Sequence, residues 1–352
     1  MPISNDKKER IAEVVIKMLK SRFESFPLDS SGNRNAPFHQ AFLNAFSEKF
    51  DGRVTDIPFF ISLSSWLHGF NTTMGQSFFE SVAHILSDGY KKEFTSGRSS
   101  GTLQVTIQQK NAVNSIITKL SNNEDIPCLE GENALLFIPD EGFPLTNAID
   151  FSADVFIDTD EKITAIELKS VKPNGGEMRG EKEKILEGKA ALYRRYPGKN
   201  IEFYIGFPFD PTNDPNNPTG SDKNRFADSI INMNKYFDPN EVLLAAELWD
   251  HLSGESCTME ELLNIINSIA TPSFLKNYSY LSENTNRNDE EYRNLLRIWY
   301  LESEIEILER EGEILAKMST NSRIQKIYNQ PIFKSNYCYN RDRYTFLKSI
   351  LQ

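Results

Sequence analysis

The sequence predicts an α/β fold: a mixed central sheet flanked by helices, with helical additions at the N- and C-terminal ends. Three observations carry this. Residues 74–207 read in the order helix, strand, hairpin strand, helix, strand. Outside that stretch apolar residues recur at three- and four-residue spacing, the period of an amphipathic helix. The last crossover, 162–207, is a strand–helix–strand unit, whose connection is right-handed and packs the helix on the sheet.

The elements follow in order. Ile11, Val14, Val15, Met18 and Leu19 form one stripe of a helix over 6–25. Residues 27–37 are a turn-rich linker, and a second helix covers 38–50. The aromatic run 58–70, with Phe59, Phe60 and Trp66, reads as buried. Helices then begin near Met74 and over 105–120. After Pro127 the period changes. Residues 134–138 read as a short strand, and 152–158 and 162–170 as two more, joined by a hairpin turn at Asp158, Thr159, Asp160 and Glu161. Asn174, Gly175 and Gly176 break the chain before a helix over 177–196, which Pro197-Gly198 stops. A buried strand follows over 200–207. Beyond a Pro/Asn/Asp-rich loop at 208–217 the pattern is helical again, over 241–252, 258–269 and a long charged stretch, 290–318. This divides the 352 residues into an N-terminal helical region (1–70), a core (71–238) and a C-terminal helical region (239–352).

Composition narrows the function. Hydrophobic residues make up 39% and charged residues 25%, an ordinary globular balance. No apolar run is long enough to span a membrane, and the N-terminus has no apolar signal region. Cys128, Cys257 and Cys338 are too few and too scattered for a disulfide framework or a CxxC zinc site; they read as buried apolar side chains in a reducing cytoplasm. His39, His68, His84 and His251 lack ligand spacing, and without a Walker-type loop no nucleotide cofactor is expected. The net charge is −11, yet 162–199 holds ten Lys/Arg against five Asp/Glu, a local +5. A basic segment in an acidic chain points to nucleic acid held in one cleft rather than along the whole surface.

The chemistry lies in the predicted hairpin. Strand side chains alternate, so Glu167 and Lys169 share one face while Ile166 and Leu168 point into the core. The turn brings Asp154 back beside Glu167. Two carboxylates and one ammonium then meet on neighbouring strands. Mg²⁺ takes hard oxygen ligands, typically one or two carboxylates completed by waters and substrate phosphate oxygens. Asp154, Glu167 and the backbone carbonyl of Leu168 supply such a set. The ion would activate a water and neutralise charge developing on phosphorus, and Lys169 would orient the attack and stabilise the added negative charge. The reaction expected is in-line phosphodiester hydrolysis leaving 5′-phosphate and 3′-hydroxyl ends. Asp150 shares the strand parity of Asp154 and competes for the same role; Asp154 is preferred because it lies inside the strand at a hairpin-compatible distance.

Asp154, Glu167 and Lys169 resemble the motif of the PD-(D/E)xK nuclease superfamily, with Ala153 in place of the proline. The core of that superfamily often opens with a helix carrying a further acid, and the segment around Glu80 looks like that helix, which makes Glu80 an additional candidate ligand. The block 167–193 is similar to the TdeIII family of type II restriction endonucleases, associated with the interrupted palindrome GGNCC. The resemblance implies Mg²⁺-dependent cleavage of double-stranded DNA by a homodimer.

Recognition of guanine edges needs forked donors, and Arg179 stands at the start of the helix after the catalytic lysine. Glu177 and Glu181 flank it as acceptors for cytosine amino groups, and Lys182 lies one turn on. Lys172, Lys184, Lys189, Arg194 and Arg195 are expected on phosphates. Met178, Ile185 and Leu192, seven apart, form a packing stripe. Two other readings stay open: a repair or junction-resolving nuclease on the same core, and a helical interaction protein in which the acidic hairpin is accidental.

Overall fold

The computed structural model describes residues 3–28, 37–50, 52–54, 56–139, 142–170, 175–318 and 321–351. Among these, seven strands form: β1 (Tyr90–Phe94), β2 (Gln104–Thr106), β3 (Leu145–Asn147), β4 (Phe151–Asp158), β5 (Lys162–Leu168), β6 (Asn200–Phe207) and β7 (Val242–Leu244). Five make one sheet in the order β1-β4-β5-β6-β7, and β2 pairs with β3. The pairs β1–β4 and β4–β5 are antiparallel, whereas β5–β6 and β6–β7 are parallel. The sheet is mixed and flanked by helices, as the sequence predicts.

The pattern of side chains explains the order. β5 is central and covered on both faces, so Ile163, Thr164, Ala165, Ile166 and Glu167 are all buried. β4 has one more exposed face near its start: Phe151, Ala153 and Val155 go inward, while Ser152 and Asp154 are half-buried. The long helix Gly175–Arg195 joins β5 to β6, packs against β6 and buries Met178, Ile185, Leu186, Ala190, Ala191 and Leu192. Gly188 lets it come close: an added Cβ would stand 2.8 Å from Cε1 of Phe203 on β6.

Two expectations are corrected in this part of the chain, and one strand was not foreseen. Residues 134–138 are not a strand but belong mainly to the helix Leu129–Leu136, whose buried residues Glu132 and Leu136 lie four apart; a short apolar run does not separate the two states by itself. The stretch read as one helix from 241 begins instead with β7, three buried residues paired with β6. Ala245, at φ 51°, then turns the chain into the helix Ala246–Ser253. β1 carries Lys91, Lys92 and Glu93 in succession and so has no alternation to reveal it.

The chain divides into two compact units, Met1–Ser4 with Phe79–Leu263 and Asn5–Phe78 with Asn264–Gln352. The first holds the sheet. The second is helical. Its opening helix, Asn5–Glu24, buries Ile11, Ala12, Val15 and Ile16, and its buried Glu9 accepts from Ser303 N (2.8 Å) and Oγ (2.7 Å). Residues 58–70 lie in the helix Ile57–Thr73, capped by Asp56, and none of that helix is fully buried, contrary to expectation. Its rings instead pair with one another and with an exposed neighbour, as Trp66–Phe70 (5.7 Å) and Phe26–Trp66 (5.0 Å) do. The charged stretch 290–318 is three helices, Glu290–Ile298, Glu302–Glu309 and Glu311–Met318, with Tyr300 at φ 56° between the first two. Cys128 and Cys257 are exposed and Cys338 half-buried, all as free thiols, so their predicted burial fails. Most of the 27–37 linker lies outside the described residues. No helix among the described residues is long and apolar enough to cross a membrane.

Candidate active site

The hairpin of β4 and β5 builds the site. Val155 lies opposite Ile166, and one step further the same register sets Asp154 opposite Glu167. Asp154 Oδ2 accepts a hydrogen bond from the amide of Leu168 at 3.0 Å, which fixes the carboxylate across the strand pair. On its other side β4 meets β1 with a break in register: Tyr90 faces Phe156 and Lys92 faces Ala153, so Asp154 and Val155 together oppose Lys91. Such a bulge re-aims side chains. Here Lys91 Nζ reaches Asp154 Oδ1 and Glu80 Oε1, each at 3.1 Å.

Glu80 comes from the helix Phe79–Ser87. His84, one turn along the same face, donates from Nε2 to the main-chain carbonyl of Asp154 at 2.7 Å. The helix therefore brings a carboxylate to the site and braces the strand that carries Asp154. Asp150 lies outside this group. It precedes β4, is exposed and accepts from Thr102 Oγ1 at 2.7 Å.

Glu167 and Lys169 do share a face: Lys169 Nζ lies 3.2 Å from Glu167 Oε1. Two residues of the long helix join them. Glu181 Oε1 accepts from Lys169 at 2.8 Å, and Lys184 Nζ lies 2.9 Å from Glu167 Oε1 and 2.5 Å from Glu181 Oε2. Glu177 Oε1 stands 3.7 Å from Lys169 Nζ. Burial pushes the Glu167 carboxyl up; Lys184 and Lys169 oppose that, while Asp154 and Glu181 add to it, and the outcome is a raised pKa. For Lys169, burial would depress the ammonium, but Glu167 and Glu181 outweigh it and hold the pKa above the ordinary lysine value.

The donor set suits a hard cation. Glu167 Oε2 is buried and has no hydrogen-bond donor, although its partner oxygen faces two lysines. Glu80, Asp154, Glu167 and Glu181 carry four negative charges against the three ammonium groups of Lys91, Lys169 and Lys184, leaving the cluster net negative. Among the described residues no three His, Cys, Asp or Glu side chains are grouped so as to hold a metal ion by themselves. An open pair of carboxylates, completed by water and phosphate oxygens, is the arrangement Mg²⁺ favours over an all-protein cage.

The expected DNA contacts fare unevenly. Arg179 is exposed at the start of the long helix, and Glu177 is half-exposed. Glu181 is engaged by Lys169 and Lys184 and presents no free carboxylate to a base. Lys182 and Lys189 are corrected outright: both are fully buried and ion-paired to Glu241, so neither ammonium reaches a duplex. Lys172 lies outside the described residues. The basic segment is largely neutralised within the fold. Lys162 pairs with Glu202 (3.1 Å), Lys199 pairs with Asp158 (2.6 Å), and Arg194 donates to the carbonyl of Gln104 (3.0 Å). Lys91, His84 and the inward role of Lys184 were missed from sequence. His84 had a signal, its spacing of four from Glu80; Lys91 had none.

Known proteins of similar sequence agree on a class. The family profile described as type II restriction endonuclease, HinfI, matches residues 3–270. MjaII, a type II restriction enzyme of Methanocaldococcus jannaschii, is 41% identical over 362 aligned positions, covering 97% of this chain and 96% of the relative. The family matched is HinfI, where the sequence reading expects TdeIII; the type II class is common to both. With the match running through the whole sheet-bearing unit and the relative aligned almost end to end, this chain belongs to the HinfI family of type II restriction endonucleases and is a site-specific deoxyribonuclease.

Proposed function

We propose that the chain cuts both strands of duplex DNA by Mg²⁺-dependent hydrolysis in the PD-(D/E)xK manner, leaving 5′-phosphate and 3′-hydroxyl ends. The observation that carries this reading is the meeting of Asp154 on β4 with Glu167 on β5 and Lys169 just after it, with Glu167 Oε2 buried and undonated. Type II restriction enzymes work with divalent ions. Asp154 and Glu167 would hold the ion, helped by the Leu168 carbonyl and by Glu80. When bound, such an ion lowers the pKa of a water and offsets charge growing on phosphorus.

The remaining steps fall to side chains. Lys169 keeps its proton because its carboxylate neighbours raise its pKa. As an ammonium it would stabilise the extra negative charge of in-line attack and orient the water. Glu181 and Lys184 hold Lys169 and Glu167 in their rotamers. Arg179 offers its guanidinium to guanine, and Glu177 accepts from a cytosine amino group. An interrupted palindrome of GGNCC type would be read by a homodimer, each copy cutting one strand. The helical regions 1–70 and 239–352 would add dimer contacts and DNA surface.

Digestion of a sequenced plasmid with Mg²⁺ tests this. Discrete fragments whose ends map to GGNCC and ligate without kinase treatment are expected. Asp154→Asn and Glu167→Gln should leave the plasmid intact while still binding it. If either variant cuts at the wild-type rate, the site is misassigned; cuts at another sequence would overturn the GGNCC assignment alone.

A further inference from the structure

We propose that Lys91 is a built-in counter-ion of the acid pair Asp154 and Glu80, and that a divalent ion must displace its ammonium to take Asp154 Oδ1. The proposal rests on the reading of Asp154 as an ion ligand.

The geometry is specific. Lys91 Nζ lies 3.1 Å from Asp154 Oδ1 and 3.1 Å from Glu80 Oε1, a single cation bridging carboxylates from a strand and a helix. The other oxygen of Asp154 is already bonded to Leu168 N at 3.0 Å. Oδ1 is thus the oxygen that can turn to an ion, and Lys91 sits on it. The bulge in β4 opposite Lys91 is what lets one strand residue face both acids. The side chain of Lys91 is 40% exposed, against 13% for Asp154 and 19% for Glu80, so the ammonium closes the pair from the solvent side and can leave without unpacking the core.

The consequences follow from charge. With Lys91 in place, Asp154 and Glu80 stay oriented when no divalent ion is bound, since two carboxylates brought together would otherwise repel. The same contact opposes ion binding, because the ammonium and the ion compete for one oxygen and repel each other. Lys91 therefore raises the ion concentration needed to charge the site. It is a positioning residue, acting through Asp154.

Calorimetric titration of the full chain with Mg²⁺, without DNA, tests the proposal. Lys91→Met should bind Mg²⁺ roughly tenfold more tightly than wild type, within the usual range of coupling between interacting sites. Its ion-free melting temperature should fall and recover on adding Mg²⁺. Lys91→Arg, which keeps the charge, should bind Mg²⁺ as wild type does. A purely structural role for Lys91 would lower stability and leave affinity unchanged or weaker, and that result overturns the proposal. Asp154→Asn separates the two readings. If wild type binds Mg²⁺ and Asp154→Asn does not, an unchanged Lys91→Met affinity sinks the counter-ion alone. If Asp154→Asn binds as wild type does, or wild type binds none, the metal reading fails and takes the counter-ion with it.

Discussion

Replacing Glu241 with Gln removes one charge from a sealed ionic quartet beneath the long helix. Glu241 Oε1 accepts from Lys189 at 2.8 Å, Oε2 pairs with Lys182, and Lys182 reaches Glu132 at 2.5 Å. Lys182 and Glu241 are 0% exposed, Lys189 1% and Glu132 5%, so bulk water screens none of them. Burial pushes Lys189 down and Glu132 up, while Glu241, despite the same burial, is held low by Lys189 and Lys182. Glu241 is therefore the charge on which the two lysines depend, and Gln leaves both facing Glu132 alone. Removing one partner from a buried ion pair costs about 3–5 kcal/mol. For a unit of this size that corresponds to a melting temperature lower by roughly 6–20 °C. Thermal unfolding of the full chain, followed by fluorescence and circular dichroism, measures it. A shift equivalent to less than about 1 kcal/mol would refute the reasoning and show that water or a side-chain rearrangement supplies the missing charge. The quadruple apolar replacement is the control: it should be far less damaging than Glu241→Gln, since removing all the charges leaves none uncompensated.

Three more outcomes are expected. Gly188→Ala gains about 1 kcal/mol of helix propensity, but its Cβ would stand 2.8 and 3.2 Å from the Phe203 ring and 3.4 Å from Phe151, and overpacking costs ~1–3 kcal/mol; a higher melting temperature would contradict this. Burial pushes Glu13 in the helical unit up to about 7 against the pull of Arg341, with Glu9 adding to the rise. Its protonated form is favoured in the fold, so the stability that Glu13 contributes is greatest below pH ~4.5 and falls as pH rises to about 7, by about 3 kcal/mol at most. Glu13→Gln should flatten that slope in melting curves taken between pH 5 and 7.5. Arg179→Ala should weaken binding to the cognate duplex more than to random duplex, and an unchanged ratio would remove Arg179 from base reading.

The hairpin was legible because its information is local. Glu167 lies thirteen positions after Asp154, strand alternation assigns the faces, and the turn residues lie between them. The strand at 200–207 and the helix over 258–269 were equally plain, bounded by breakers and consistent in period. What failed lacked a periodic signature or depended on distant partners. β7 is three residues long and exists because β6 offers an edge; β1 is all charge and tyrosine until Phe94. The position of Lys91 depends on a bulge between strands about sixty residues apart, which no pattern along the chain announces.

The misplaced lysines show a different failure, one that the sequence could have prevented. Met178, Ile185 and Leu192 mark the inward stripe of the long helix, and Lys182 and Lys189 interleave with them at steps of four and three. By helical geometry they belong to that same stripe. Residue type argued for the surface and spacing argued for the core, and the structure sides with spacing: all five are buried. Burial of two lysines is tolerable only where acids meet them, and Glu132 and Glu241 come from segments remote in the chain. The neighbouring stripe, Glu177, Glu181 and Lys184, follows the same spacing and turns to Lys169 and Glu167. One helix thus carries two ionic faces a fraction of a turn apart, one sealed and one open to the site. Loosening the sealed face should therefore misplace Glu181 and Lys184 as well, so that Glu241→Gln slows cutting below its unfolding temperature.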